Sequence, residues 1–407
     1  MKPIGEVNPP ARILLTPGPA NVEPRVYRAL LAPVLGHLDP DFLRIMDDVQ
    51  VLTRRMFVTE NRLTFPVSGT GSAGMETAMT NLLEPGDTAL ITVAGFFGER
   101  LADMARRTGA EVIALESRPG TPVDPQQARE AARGKKIKLI GVTHGETSTG
   151  ALNDLDAFRQ VTEECGGLLV VDAVATAGGV PLRVDAQRLD VCFTGSQKCL
   201  SAPPGLAPFT AGPRAEAVIG KRKTGVTSWY FDLTYIMKYW GQERTYHHTA
   251  PISMIYALRE ALRLVEEEGL EARWERHRRN AQALATGLEA MGMGLLVAPP
   301  HRMLTVTAVK IPAGVDDRKV RGRLMEEFNI EIAGGLGELK GKIWRVGLMG
   351  ASSTQNNVLL LLAALEKCLL EEGIKLPPGA GVAAAVQAYQ QAPVHGEPAQ
   401  GEPAAAR

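Results

Sequence analysis

Short apolar runs alternate with longer amphipathic stretches through the middle of the chain. Runs rich in Val, Leu and Ile are typical of buried strands, and they lie at 63–69, 88–95, 137–145, 167–175 and 189–197. Helical spacing of apolar residues separates several of them, at 73–83, 98–109 and 152–167. This repetition of strand and helix predicts an α/β fold with a mostly parallel sheet and helices on both of its faces.

The pattern changes after about residue 252. Two long amphipathic helices broken at Gly269 come first, and three strands and a helix are predicted after them, at 304–314, 329–335, 342–350 and 353–372. These elements predict a smaller α+β domain. We therefore expect four parts, which are an N-terminal arm (1–21), a large domain (22–268), a small C-terminal domain (269–376) and a tail (377–407).

The tail has a different composition from the rest of the chain. Ala, Pro and Gly supply 19 of the last 31 residues. Too few large apolar side chains remain to offset the entropy of ordering the segment, so a disordered tail is predicted.

Charge and cysteine content narrow the function. The chain has 45 basic and 45 acidic residues, so its formal net charge is zero, which argues against nucleic acid or an anionic membrane as its main partner. No apolar run is long enough for a membrane span or a signal peptide. The four cysteines lack disulfide and zinc-site spacing, and adjacent His247 and His248 lack the spacing of metal ligands. We expect a cytoplasmic protein without a metal.

Lys198 and Asp172 are the sharpest chemical signals. Lys198 directly follows the predicted strand 189–197. Burial would lower its pKa and make a neutral amine available as nucleophile or base, whereas a lysine at a strand end also commonly extends to solvent. Asp172 lies in the predicted strand 167–175, where it either caps a turn or holds a cationic group such as a protonated ring nitrogen. One βα unit separates the two, so they can face one site.

Three further features have both a functional and an ordinary explanation. The glycine-rich segment 68–79 opens a helix, and its backbone N–H groups suit a phosphate, although ordinary strand-to-helix turns look the same. Arg345 lies on a predicted strand, where it either grips a carboxylate or lies on the surface. Phe96 and Phe97 either stack on a flat ring or fill the core.

Seven segments in this order resemble the class V aminotransferases, which use pyridoxal phosphate (PLP) on the fold-type I scaffold. The resemblance points in particular to the alanine/serine–glyoxylate branch and covers about 11–375. The segments that carry it are TPGPANVEPRV (16–26), SGTGSAGMETAMTNLLEPGD (68–87), THGETSTG (143–150), LLVVDAVATAGGVPL (168–182), TGSQKCLSAPPG (194–205), YHHTAPIS (246–253) and WRVGLMG (344–350). Seven matches in the same order are specific for this family, whereas any one of them alone would not be.

The resemblance implies a role for each matching residue. Lys198 would link covalently to PLP and move the Cα proton, Asp172 would keep the pyridine nitrogen protonated, and Arg345 would hold the substrate carboxylate. Phe97 would stack on the ring, where several relatives have Trp. The remaining residues would bind the phosphate, the ring region or the amino acid, and they are Thr70, Gly71, Ser72, Gln197, Thr147, Ala20 and Asn21. Tyr246 and Thr249 would complete the phosphate site of the neighbouring subunit in a homodimer.

The activity that follows from the resemblance is transfer of the amino group of a small amino acid, alanine or serine, to a 2-oxo acid. Glyoxylate is the expected acceptor, and the two halves would run in ping-pong order. PLP supplies the electron sink, and the lysine amine acts as general base. The sequence offers no obvious second cation for a distal carboxylate, although Arg12 or Arg244 could supply one.

Other functions stay open on the sequence. A cysteine desulfurase or selenocysteine lyase needs a mobile catalytic cysteine, and Cys192, inside a strand, and Cys199, next to the lysine, are poorly placed. The PLP residues do not separate 2-aminoethylphosphonate–pyruvate, ureidoglycine–glyoxylate or aspartate aminotransferases from the alanine/serine type. A non-catalytic subunit of a soluble hydrogenase-type assembly is disfavoured, because no cysteines cluster for an iron–sulfur centre.

Overall fold

The computed structural model describes residues 4–391. Its strands are β1 Ile13–Leu14, β2 Leu63–Ser68, β3 Thr88–Val93, β4 Glu111–Glu116, β5 Ile137–Thr143, β6 Gly145–Glu146, β7 Ala151–Leu152, β8 Leu168–Asp172, β9 Val191–Phe193, β10 Leu206–Ala211, β11 Val306–Lys310, β12 Ile330–Glu331, β13 Ala333–Gly334 and β14 Ile343–Gly347.

The α-helices lie before, between and after these strands. They are α1 Pro24–Leu30, α2 Pro40–Phe57, α3 Gly71–Leu82, α4 Phe96–Arg107, α5 Pro125–Ala131, α6 Leu155–Cys165, α7 Pro213–Gly220, α8 Leu233–Trp240, α9 Ile252–Glu268, α10 Leu270–Ala290, α11 Asp317–Phe328, α12 Gln355–Glu371 and α13 Ala380–Gln391. Within residues 4–391, none of them has the length and apolarity needed to cross a membrane.

A seven-stranded sheet forms the centre of the first two thirds of the chain. Its order is β2–β10–β9–β8–β5–β3–β4, and all neighbours are parallel except at β10, which is antiparallel to both β2 and β9. Strands β3, β5 and β8 are buried along almost their whole length, which explains their unbroken Val, Leu and Ile content. The predicted α/β fold with a mostly parallel sheet is confirmed.

Local sequence sets where the helices around this sheet begin and end. The side chain of Asp154 accepts hydrogen bonds from two backbone N–H groups at the start of α6, and Gly166 ends that helix in the left-handed conformation. Helix α3 has no such cap, because the side chain of Thr70 makes no capping hydrogen bond. Its first N–H groups therefore face the carboxyl edge of the sheet without a side-chain acceptor.

A second, smaller sheet has the order β11–β14–β13 and is antiparallel. The run predicted as one strand at 329–335 divides, because β12 pairs in parallel with β1 of the N-terminal arm and β13 pairs with β14. Apolar side chains of this region form a core separate from the one beneath the large sheet. We propose that the two cores belong to the predicted large and small domains.

The tail differs from its predicted disorder. Helix α13 covers Ala380–Gln391 and buries Ala385 and Tyr389 in the core of the smaller sheet region. Alanine has the highest helix propensity, so an Ala-rich segment orders once two side chains find a surface to cover. Disorder is therefore wrong for this part, and the predicted tail beyond residue 391 lies outside the described residues.

Candidate active site

Polar side chains gather at the carboxyl edge of the large sheet, where consecutive parallel strands end. Ser68 ends β2, Thr143 ends β5, Asp172 ends β8, and the turn after β9 carries Gln197 and Lys198. Ligands of open α/β sheets bind at this edge, outside the strand ends.

Lys198 points inward and is only 8% exposed. Its ammonium donates a hydrogen bond to the Pro17 carbonyl, and its side chain packs against Gly18, where an added Cβ would lie 2.5 Å from Nζ. Burial lowers the pKa of Lys198 to about 8, with smaller contributions of the same sign from Arg345 and Arg100. A fraction of the amine is therefore neutral near physiological pH.

Asp172 is buried at the end of β8, where the charge of Lys198 acts on it. Its Oδ1 accepts a hydrogen bond from the Val174 N–H at 2.9 Å. Burial raises the pKa of Asp172 to about 7, and the nearby charge of Lys198 acts in the opposite direction. One hydrogen bond offsets little of the cost of burying a carboxylate, so the site favours a cationic partner for Asp172.

The start of α3 forms a glycine-tight cradle at this edge. A Cβ on Gly71 would lie 2.7 Å from the Val174 side chain, so only glycine allows this close approach. Gln197 Oε1 is buried and has no hydrogen-bond partner within the described chain. Ser72 Oγ accepts from Arg100 Nη1 at 2.8 Å. An uncapped helix start with hydroxyl and amide groups around it suits a phosphate.

Glu146 joins the predicted ring-stacking residue to the neighbouring loop. Its carboxylate is fully buried and accepts hydrogen bonds from the backbone N–H groups of Phe97 and Gly98, each at 3.1 Å. It also accepts from the Ser148 hydroxyl at 2.5 Å. The start of α4 and the loop that contains Thr147 are thereby fixed to each other.

Arg345 reaches this edge from β14 of the smaller sheet. Its Nη1 donates to the Thr147 carbonyl at 3.1 Å, and its Nε donates to the Gly334 carbonyl at 2.8 Å. The side chain is 7% exposed, and burial lowers its pKa. No carboxylate of residues 4–391 forms an ion pair with it, which leaves its charge available to an anion.

The structure places the N-terminal arm against the lysine turn. The Ala20 N–H donates to the Gln197 carbonyl at 2.9 Å, so the arm and the turn are hydrogen-bonded. The side-chain amide of Asn21 donates to the Arg12 carbonyl and its oxygen accepts from the Leu14 N–H, both at 2.8 Å. Asn21 therefore holds the arm in place, while its backbone remains next to the site.

Tyr246 and Thr249 are not brought into the site of their own chain. Both are exposed, and their hydroxyls lie 3.5 Å from each other. Their neighbour His248 does contact the strand end that precedes the cradle, with Nε2 2.7 Å from the Ser68 hydroxyl. The segment is thus anchored beside the cradle while its two predicted phosphate ligands face outward.

Sequence reasoning did not assign roles to Arg100 and Glu146. Arg100 follows Phe97 by one helical turn, which places both on one face of α4, and this spacing was the available signal. Glu146 lies just after the buried strand β5, and this position of a charged residue at a strand end was the available signal. The contacts of Pro17 and Gly18 with Lys198 have no signal in the local pattern.

These residues fit PLP. The buried lysine suits its aldehyde, the buried aspartate suits its ring nitrogen, and the glycine-tight helix start suits its phosphate, where the NH2 group of the Gln197 side-chain amide could also donate. Fold and site together define the class of PLP-dependent α/β enzymes. The family model described as aminotransferase class-V matches residues 25–357. The chain belongs to the class V aminotransferase family, and its cofactor is PLP.

Relatives in this family include two named glyoxylate enzymes. The (S)-ureidoglycine–glyoxylate transaminase of Bacillus subtilis is 42% identical over 405 residues, covering 95% of this chain and 97% of that protein. Alanine–glyoxylate aminotransferase of Callithrix jacchus is 42% identical over 364 residues, covering 88% of each. A solved alanine–glyoxylate aminotransferase from Nostoc sp. superposes with a TM-score of 0.88 at 47% identity, covering 90% of this chain and 97% of that one.

Proposed function

We propose that this aminotransferase moves the amino group of alanine or serine to glyoxylate. The observation that carries the proposal is Arg345, a buried arginine whose charge acts on Lys198 and which has carbonyl partners and no acidic partner among the described residues. One such arginine suits the α-carboxylate that a small amino acid and glyoxylate share. The names of the relatives support glyoxylate as acceptor.

A small uncharged donor is supported by the positions of two other arginines. Arg12 donates to the Met325 carbonyl at 2.5 Å and to the Asn329 side chain at 2.7 Å. Arg244 is paired with Asp47. Both are engaged away from Lys198 within this chain, so neither is free to hold the distal carboxylate of aspartate.

Lys198 and Asp172 are proposed as the catalytic pair. With its pKa lowered by burial, the Lys198 amine can link to the cofactor. Once the amino group of the substrate has displaced it from that link, the freed amine can take up the Cα proton and return it. The Asp172 carboxylate can accept a hydrogen bond from a protonated ring nitrogen and keep that proton in place. Bound PLP supplies the electron sink that makes the Cα proton removable.

The remaining roles concern binding. The cradle at the start of α3 is proposed to hold the phosphate, Phe97 to stack on the ring, Thr147 to contact the ring region, and the arm to line the amino-acid pocket. The residues proposed for the phosphate are Thr70, Gly71, Ser72 and Gln197, and those for the pocket are Ala20 and Asn21. Tyr246 and Thr249 are proposed to reach the phosphate of a second copy, as their exposure allows.

(S)-Ureidoglycine is a second candidate donor. It is favoured by the name of the B. subtilis relative, an (S)-ureidoglycine–glyoxylate transaminase. Ureidoglycine also carries one carboxylate and no second charge, so Arg345 alone does not distinguish it from alanine.

The test is the absorption spectrum of the purified PLP-loaded protein, recorded after each donor is added singly. We expect alanine or serine to bleach the yellow band, glyoxylate to restore it, and aspartate to act at least ten times more slowly. Rapid bleaching by aspartate would refute the proposed donor class. Bleaching by ureidoglycine but not by alanine or serine would replace the donor and leave glyoxylate as acceptor.

A further inference from the structure

Arg100 is a half-buried arginine that lies beside the phosphate cradle without an acidic partner. Its Nη1 donates to Ser72 Oγ at 2.8 Å. Its Cζ lies 4.9 Å from the centroid of the Phe97 ring and 5.1 Å from that of Phe96. Within residues 4–391, no carboxylate oxygen forms an ion pair with its guanidinium.

Several other arginines around the large sheet have an acidic partner, whereas Arg100 has none within residues 4–391. Arg107, two turns further along α4, pairs with Asp103 at 2.8 Å. Arg159, which is also shielded from solvent, pairs with Glu163 and Asp190. Removing water from a guanidinium costs free energy unless an anion replaces the lost hydration. The partly buried position of Arg100 therefore favours an anion supplied by a ligand.

The surroundings of Arg100 place that anion at the cradle. Ser72 is the second residue of α3, and the uncapped start of that helix attracts negative charge. The charge of Arg100 also helps to lower the pKa of both Lys198 and Asp172, so it acts in the same electrostatic environment as the catalytic pair. The start of α3 and the Arg100 guanidinium are linked through the Ser72 hydroxyl, and both therefore favour an anion at the same position.

We propose that Arg100 is a further cofactor-binding residue whose guanidinium, together with the Ser72 hydroxyl, binds the phosphate of PLP. Its other N–H groups make no hydrogen bond within residues 4–391, so they can donate to phosphate oxygens while the guanidinium stays over Phe97. This role concerns the cofactor alone, so it does not depend on which amino donor the enzyme uses.

The experiment compares two ligands of the cofactor-free protein, PLP and pyridoxal, which lacks the phosphate. Dissociation constants are measured by titration for the wild type, Arg100→Met, Arg100→Lys and the control Arg106→Met, which removes an exposed charge from the same helix. We expect Arg100→Met to weaken PLP about 10- to 100-fold, the range of one hydrogen bond to a charged group, and to leave pyridoxal within about twofold. Arg106→Met should change neither.

Arg100→Lys should recover part of the PLP affinity, because lysine keeps the positive charge but lacks the planar guanidinium that can donate two parallel hydrogen bonds. This variant also guards against misfolding of Arg100→Met. Equal weakening of PLP and pyridoxal would overturn the proposal and show that Arg100 only supports Phe97 against the ring. Unchanged affinity for both ligands would overturn it as well. Donor turnover is not measured, so the proposed alanine or serine specificity can fail without affecting this result.

Discussion

At the scale of single residues, burial moves two pKa values toward neutrality from opposite sides. The pKa of Asp172 rises to about 7 and that of Lys198 falls to about 8. Both shifts are chiefly desolvation of a charged form at the same sheet edge. The cofactor-free protein therefore stores an energetic cost that a cationic ring nitrogen beside Asp172 and a covalent link at Lys198 can relieve.

Asp172→Asn should stabilise the cofactor-free protein at alkaline pH. Because the folded-state pKa of Asp172 lies above the ordinary value of 3.8, the folded state binds more protons, and stability is lost as pH rises from about 4 to 7. An amide avoids this loss and can still accept from Val174. We expect a gain on the order of 4 kcal/mol at pH 8 that vanishes near pH 4, measured by denaturant unfolding.

The control is Asp103→Asn, an exposed carboxylate on α4. It should show no comparable gain between pH 4 and 8. A gain of Asp172→Asn that is the same at every pH would contradict desolvation as its cause and point to repacking instead.

Lys198 and Asp172 were predictable from the sequence because each is a charged residue at the end of a strongly apolar run. Arg100 and Glu146 were not, because their contacts join distant parts of the chain. Arg100 meets Ser72 across 28 positions, and Glu146 meets Gly98 across 48. Such roles follow from how α3, α4 and the loop after β5 lie side by side, and no local spacing specifies that arrangement.

At the scale of elements, α13 should contribute to stability through one buried hydroxyl. Tyr389 donates to Asn280 Oδ1 at 2.8 Å, and the Asn280 amide donates to the Ser353 hydroxyl at 3.1 Å. Tyr389→Phe leaves the Asn280 oxygen without this donor, so we expect a loss of about 1 kcal/mol in denaturant unfolding. Exposed Tyr27→Phe is the matched control, and equal effects of both would argue against the role of α13.

Strands β4 and β10 were not predicted from the sequence, and the structure explains why. Strand β4 lies at the sheet edge, where Glu111 and Glu116 are exposed, so its apolar pattern is broken. Strand β10 contains Pro208, which usually argues against an interior strand. There Pro208 lies opposite Pro66 of β2, and the residue pairs with β9 begin at Phe209. The Pro208 carbonyl still accepts from the Thr194 N–H at 2.9 Å, so the proline lacks only its own donor at the end of this ladder.

At the scale of the whole molecule, exposed aromatic side chains lie next to the cradle. Trp229 is 60% exposed and stacks on His247, while Tyr235 and Tyr246 are 47% and 54% exposed. Contiguous exposed aromatic surface is typical of an interaction site. We propose that a second copy of the chain covers it and receives Tyr246 and Thr249 at its phosphate site.

Hybrid dimers test this sharing. Lys198→Ala alone and Tyr246→Ala/Thr249→Ala alone should each be nearly inactive at limiting PLP. In a hybrid dimer, the double-mutant subunit supplies the intact Lys198 of one site, and the Lys198→Ala subunit supplies the intact Tyr246 and Thr249 of that same site. We therefore expect hybrids, purified by different tags on the two subunits, to have about half of the wild-type activity. If each subunit used its own Tyr246 and Thr249, the hybrid would stay as weak as its parents.

The contacts of the N-terminal arm have a consequence for biosynthesis. Strand β1 pairs with β12, and the Leu15 carbonyl accepts from the Gly347 N–H, so partners of the arm are more than 300 residues away. At a translation rate of about 5–20 residues per second, those partners emerge roughly 15–60 s after the arm. The strand contacts that hold Pro17 and Gly18 over Lys198 can therefore form only after residues 330–347 have been made.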